Sequence, residues 1–261
     1  SASVLLPPAQ EQKVMIVGGG DQVEYLQGGV KNPNYNKTTT SVNIVDLNAS
    51  TPTYTAAAPL KTGGRMHHNA ILLPDRTVFV CNGATYESGI QARQTAEIYD
   101  PATNTWTVAA TASVARLYHS VALLLPDGRV VTAGGNPART QNELRLEIYS
   151  PPYMSKQRPV IKGAPQTVKY GQNFDIETDL AQNIYRVNMI KPMTTTHALD
   201  TEQRLVDVNI ISRTSTSLNV TLLPEYTLTH QKNIAPPGWY MLSILDNNKV
   251  PSVATWIQLV S

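Results

Sequence analysis

Ser120–Gly135 reads SVALLLPDGRVVTAGG, and this stretch decides the fold. An apolar run, a Pro-Asp-Gly turn and a second β-branched run closed by two glycines spell strand, turn, strand. Asn69–Gly83, NAILLPDRTVFVCNG, repeats the pattern, and Val14–Gly20, VMIVGGG, repeats its second half. Each Gly-rich end is followed, after a polar loop, by further extended elements: SVNIVDLNASTPTY (41–54), AEIYDPATNTWTV (96–108) and LRLEIYSPPY (144–153). The units recur at roughly 50–65 residues, close to the kelch period of roughly 50. Short strands bounded by Gly, Pro, Asn and Asp fill the chain and a 3.6-residue period is hard to find, so the reading is all-β, with propeller blades first and helix scarce.

After YSPPYMSKQRP (149–159) the repeat stops. Single alternating strands follow: QTVKYGQNFDIETD, IYRVNMI, QRLVDVNIIS, SLNVTLL, GWYMLSILD and VATWIQLV. Such strands over about 100 residues predict an immunoglobulin-like β-sandwich. The expected domains are residues 1–152 and 153–261. VMIVGGGDQV looks superficially like a dinucleotide fingerprint, but Val23 occupies the third glycine position and no helix follows to receive a phosphate, so that function is excluded.

The 261 residues are 41% hydrophobic and 15% charged, with net charge +2. A real core is affordable at this size, and without a Lys/Arg cluster nucleic acid and anionic membranes are not expected partners. No run approaches the roughly 18 apolar residues of a membrane span. Cys81 stands alone and reads as a buried, inert thiol. Sequons at Asn36, Asn48 and Asn219 give weak support for export. SASVLLPPAQEQKVMIVGGG has no basic leader, so a signal peptide has been removed or the chain starts partway through a longer protein.

The chemistry-bearing residues sit at strand mouths. In ARLYHSVALLLPDG, Arg116, Tyr118 and His119 crowd one mouth; in GRMHHNAILLP, His67 and His68 crowd the preceding one, with His67 opposite His119 in the repeat. A Tyr-His pair alone reads as packing. Neighbours on a regular strand point to opposite faces, so Tyr118 and His119 share an ion only where the backbone bends. His67 and His68 fit either hairpin-mouth packing or a substrate approach, and Arg116 either a loop carbonyl or a substrate oxygen. His230 reads as surface.

Four motifs, ARLYHSVALLLPDGRVVTAGGNP, LEIYSPPYMSKQRPVI, TTTHALDTEQRLVDV and IAPPGWYMLSILDNNKVPSVATWIQLV, resemble in order the C-terminal part of copper radical oxidases of the galactose oxidase and glyoxal oxidase type. The resemblance spans nearly the whole chain. It implies the last kelch-type blades of a seven-bladed propeller, an immunoglobulin-like early-set domain, and copper at the propeller axis. It also implies that Tyr118, His119 and His197 are copper ligands, with Tyr118 as the base that takes the substrate's hydroxyl proton; substrate-binding residues are open, with His67, His68 and Arg116 as weak candidates. Two imidazoles with oxygen donors suit Cu(II).

The family's second, equatorial tyrosine, cross-linked to a cysteine and storing the radical, has no match here, and Cys81 lies in a later blade than that cysteine. The thioether cofactor is therefore expected from N-terminal blades supplied by the same polypeptide or a separate chain. The implied function is oxidation of a primary alcohol, aldehyde or carbohydrate by O₂, giving aldehyde or acid and H₂O₂, outside the cell or in its envelope. The alternative is a non-catalytic propeller and sandwich binding glycans or a partner chain; a third is one half of a split propeller in an extracellular assembly.

Overall fold

The computed structural model describes all 261 residues except 21–25, 33–36, 86–90, 137–140 and 224–225; Val23 and the sequon at Asn36 lie outside the described residues. Three antiparallel sheets come first. β1 (Ala2–Leu5), β2 (Lys13–Val17), β3 (Val42–Asp46) and β4 (Tyr54–Ala57) form one; β5 (Asn69–Leu72), β6 (Val78–Cys81), β7 (Thr95–Asp100) and β8 (Thr105–Thr111) the second; β9 (Ser120–Leu124), β10 (Val130–Gly134) and β11 (Glu147–Tyr149) the third. Each is a blade in sequence order, and the inner strands β1, β5 and β9 stand side by side.

The turn chemistry explains the repeat. Leu73 N donates to Thr77 O (2.9 Å) and Leu125 N to Arg129 O (2.8 Å), while Asp75 Oδ1 and Asp127 Oδ1 accept from the backbone N–H groups of Thr77 and Arg129. Arg76 (φ 71°) and Gly128 (φ 88°) take the left-handed position that closes each turn. The first blade uses the same scheme with a longer loop, Leu6 N donating to Lys13 O (2.8 Å), so β1 is the counterpart of β5 and β9. The glycine ends have a steric cause: at Gly83 (φ 87°) a Cβ would lie 2.5 Å from the Met66 carbonyl oxygen.

Two glutamates latch consecutive blades. Glu97 accepts from Lys61 N (2.7 Å), Thr62 N and Thr62 Oγ1 on the strand-to-strand crossing and from the fully buried Arg65 (3.2 Å). Glu147 accepts from Ser113 N (2.8 Å) and Ser113 Oγ (2.7 Å) one blade later, with the Arg116 guanidinium 3.7 Å away. Val4, Met15, Ile71, Phe79, Ala122 and Val130 pack between the sheets. Leu144, Leu146 and Ile148 alternate along the outer segment of the third blade and are exposed, Leu144 by 88%.

The C-terminal strands form one seven-stranded sheet. They are β12 (Thr167–Lys169), β13 (Asn173–Glu177), β14 (Ile184–Ile190), β17 (Leu205–Arg213), β18 (Ser217–Leu222), β19 (Gly238–Asp246) and β20 (Thr255–Val260), in the order β12-β20-β19-β14-β17-β18-β13. The two edge strands are consecutive in sequence, so the sheet nearly closes on itself around Val187, Met189, Val220, Tyr240, Leu242 and Ile257. A short helix, α1 (Leu228–Ile234), three 3-10 turns (Ala9–Glu11, Pro152–Ser155 and Ala181–Asn183) and a small hairpin, β15 (Thr195–Thr196) with β16 (Leu199–Asp200), complete the described elements.

The outer face of this sheet docks on the blade turns. Ile190, Leu205 and Met241 join the inter-blade core. Arg158 donates to Pro251 O (2.7 Å), Ser252 O (2.6 Å) and Asp127 O (2.6 Å); Asn188 Nδ2 donates to Pro74 O (2.8 Å) and Ala254 N to Pro126 O (2.8 Å). Arg76 pairs with Asp207. Docking in this way fixes where the β14–β17 connection, residues 191–204, meets the blades.

Candidate metal centre

Tyr118 and His119 occupy the middle of a turn closed by Ser120 N donating to Leu117 O (3.0 Å), immediately before β9. His119 has φ 63°, a left-handed conformation uncommon for a non-glycine residue. This breaks the two-residue alternation of a strand. The two consecutive rings therefore lie together, with centroids 3.8 Å apart and planes at 33°.

The neighbouring blade shows how the turn arose. Gly19 N donates to Arg65 O and Gly83 N to Arg116 O, both at 2.8 Å, so the two arginines are equivalent. Ala84 N donates to Met66 O and Asn136 N to Tyr118 O, both at 3.0 Å, so Met66 is equivalent to Tyr118. The third blade thus carries one extra residue, Leu117, which is fully buried, while Tyr118 is 38% exposed. His67 (φ 57°) matches His119 (φ 63°) in backbone conformation as well as position.

His197 arrives from the other domain. It and Ala198 form the two-residue turn between β15 and β16, with φ 51° and 64°, as a type I′ hairpin requires. Asp200, whose carboxyl is raised by burial, accepts from Thr194 N (2.9 Å) and Glu202 N (3.1 Å) and closes the hairpin base. β15 packs beside β9 and β16 beside β5, at the inner strands of two blades. The His197 ring centroid is 6.4 Å from that of His119 and 6.1 Å from that of Tyr118, and its Nδ1 lies 2.8 Å from Thr196 Oγ1.

The three rings thus converge on one exposed spot. With metal–nitrogen bonds of about 2.0 Å, two imidazole centroids on opposite sides of one ion stand roughly 6 Å apart, so the observed span accommodates a single first-row metal. Among the described residues no three His, Cys, Asp or Glu side chains come together as a metal site; beside the two imidazoles, the side chain at this spot with an oxygen donor is the Tyr118 phenol. Two imidazoles with an oxygen donor fit copper. Four left-handed non-glycine residues, His67, His119, His197 and Ala198, bracket the spot; such conformations cost of order 1–3 kcal/mol each where the local turn does not itself call for them.

The weaker candidates separate. The half-buried His67 stands edge-on to Tyr118, with centroids 5.3 Å apart and planes at 63°, at the rim of the spot. His68 is buried between the first two blades beside Gly18; burial, with Arg65 adding, lowers its pKa to about 3, so it lines no approach. Arg116 is buried and donates to Gly134 O (2.8 Å) at the end of β10 and to Arg145 O (2.6 Å) in the loop before β11, so it serves backbone carbonyls. Cys81 is buried in β6, its thiol pushed up to about 12 by burial, an inert thiol. His230 is exposed on α1. The buried carboxamides Asn69 and Gln203 and the glutamate latches went unread in the sequence. An EIY triplet at Glu97 and Glu147 was the available signal for the latches.

Comparison with known proteins bears on this arrangement. Residues 1–153 match the glyoxal oxidase N-terminus family model, and residues 158–259 the galactose oxidase-like early set domain. An aldehyde oxidase GLOX from Vitis pseudoreticulata is 34% identical over 76% of this chain and 42% of its own length. A galactose oxidase from Gibberella zeae is 30% identical over 85% of this chain and 33% of its own. The structure of a fungal alcohol oxidase of the AA5 family in complex with copper superposes on all of this chain and 54% of that one, with a TM-score of 0.84 and 26% identity. The chain spans less than half the length of these curated relatives.

Proposed function

The chain belongs to the family of glyoxal oxidases and galactose oxidases, and from that premise we propose that it is the C-terminal portion of a secreted copper radical oxidase. The reaction proposed is R–CH₂OH + O₂ → R–CHO + H₂O₂, or the corresponding step from an aldehyde to an acid. The observation that carries this reading is the convergence of the Tyr118, His119 and His197 rings from two domains on one exposed spot.

In this reading His119 and His197 hold the copper and Tyr118 is the weaker third donor. The ion, when bound, supplies a Lewis acid for the hydroxyl and a one-electron acceptor. The Tyr118 phenolate oxygen takes the hydroxyl proton of the substrate. Thr196 Oγ1 orients the His197 ring through Nδ1, leaving Nε2 to face the ion, as a carbonyl or carboxylate does for other metal-bound histidines. His67, edge-on to Tyr118, limits how that ring tilts.

Removing two electrons needs a second redox group besides the ion. Cys81 does not provide it, because its thiol is buried in β6 and burial pushes its pKa up to about 12. We place that group, the cysteine-linked tyrosine, on the N-terminal propeller blades, from the same polypeptide or a separate chain. No described helix is long and apolar enough to cross a membrane. Of the two sequons inside the described residues, Asn48 is exposed in the turn after β3, and Asn219 is half-buried on β18.

The test is a peroxide-coupled assay on copper-loaded protein assembled with its remaining blades, using primary alcohols and aldehydes. Copper-dependent H₂O₂ release that is lost in Tyr118→Phe supports the reading. A protein that takes up no copper and releases no peroxide, yet binds glycan or a partner chain, would replace it with the non-catalytic alternative.

A further inference from the structure

His197 stands on a two-residue turn with only two residue pairs beneath it, too short a hairpin to hold a ring in place alone. What anchors it lies just past its base. Gln203 is buried, and its side chain spans the seam between two blades: Oε1 accepts from Leu5 N (2.8 Å) on β1, and Nε2 donates to Ala70 O (3.2 Å) on β5. On the other side of the hairpin, Met193 Sδ accepts from Leu124 N (3.2 Å) on β9.

The pairing has a simple geometric cause. β1, β5 and β9 are edge strands of their sheets, so backbone groups on their open edge have no sheet partner. Leu5 and Leu124 hold equivalent places, each just ahead of a Leu-Pro turn, and both N–H groups are taken by the segment that carries His197. A buried N–H left unsatisfied is costly, so the edges of the blades dictate the height at which this segment sits.

We propose that Gln203 is the positioning residue for His197. Its carboxamide reads the separation of β1 and β5 and fixes the hairpin, and so the imidazole, relative to Tyr118 and His119. Metal affinity is then coupled to the registration of the first two blades. The proposal rests on the copper reading for its first readout only.

Three variants of the protein separate positioning from general stability. Gln203→Ala loses both bonds; Gln203→Glu keeps the acceptor for Leu5 N and loses the donor to Ala70 O. Arg158→Ala, at the same domain junction, removes three bonds to Asp127, Pro251 and Ser252 without touching the hairpin. Cu(II) affinity, measured by chelator competition, should fall about 10- to 100-fold in Gln203→Ala, the range for lost outer-shell support. It should fall less in Gln203→Glu and stay unchanged in Arg158→Ala, although Arg158→Ala lowers Tm. In the metal-free protein, amide exchange at Thr194 and Thr201 should accelerate in Gln203→Ala and not in Arg158→Ala. If wild-type protein binds no copper, the copper reading falls and the exchange experiment still decides this one. Equal exchange and equal copper affinity in the Gln203→Ala and Arg158→Ala proteins would reduce Gln203 to an ordinary docking contact and overturn the proposal.

Discussion

Tyr118 and His119 are consecutive in the chain, yet their ring centroids stand 3.8 Å apart, because His119 adopts φ 63° and turns the strand alternation off at that residue. A tyrosine and a histidine next to each other in a strand would face opposite sides of the sheet. The extra residue Leu117 is buried, and its carbonyl accepts the Ser120 N–H that closes the turn. The adjacency is therefore a property of backbone conformation, and it can be tested separately from the chemistry of either ring.

Tyr118→Phe should retain copper, since both imidazoles remain and the ring still packs against His67 and His119, while turnover falls by the 10²–10⁴-fold that a lost general base represents. Copper content by atomic absorption and peroxide release on one preparation check both halves. Near-normal oxidation would assign the base elsewhere.

Glu97→Ala should be among the most destabilising single changes in the blades. It removes the ion-pair partner of Arg65, a fully buried guanidinium left with only the neutral acceptors Thr62 Oγ1, Thr95 O and Asn82 O, and orphans the Lys61 and Thr62 N–H groups. Breaking one side of a buried pair costs about 3–5 kcal/mol. The partly exposed equivalent, Glu147, should cost less when replaced by Ala, because water reaches its surroundings. Denaturant midpoints of the two variants give the order.

Acid sensitivity should trace in part to His68. Its folded-state pKa, pushed down to about 3 by burial and by the charge of Arg65, lies below the usual histidine value of about 6.5, so the unfolded chain takes up the proton first. This group contributes no pH dependence above neutrality and erodes stability progressively as pH falls from about 6.5 toward 3. Urea midpoints measured from pH 7.5 to 4.5 should slope less in His68→Asn than in wild type; identical slopes would show that carboxylates alone carry the effect.

The blades were legible because their turns are written in local chemistry. Pro-Asp followed by a left-handed residue fixes a hairpin whatever lies around it, and the alternating strands of the C-terminal domain fix a buried face in the same way. The site was legible only as three residues that resemble a known motif. That Arg116 spends itself on carbonyls and that His68 points into a blade seam depend on which face the neighbouring sheet covers, and a single sequence does not carry that. Gln203 was invisible for the same reason: its two partners, Leu5 and Ala70, lie 198 and 133 residues away.

Expressed alone, this polypeptide should associate. Leu144, Leu146 and Ile148 present an alternating apolar row on the third blade, and Tyr54 and Val108 are exposed on the outer strands of the other two. Such rows template further sheet or blade packing. Size-exclusion chromatography should show oligomers or aggregate that resolve when N-terminal blades are supplied; a well-behaved monomer of 28.5 kDa would contradict this.

The central claim is that Tyr118, His119 and His197 form one copper site, and its most direct test is Cu(II) titration of the assembled protein followed by electron paramagnetic resonance. The account predicts one tightly bound Cu(II) with two nitrogen donors, and affinity lowered by orders of magnitude in both His119→Ala and His197→Ala. Copper binding that is unaffected by removing either histidine, or an absence of tight binding in the intact protein, would contradict it.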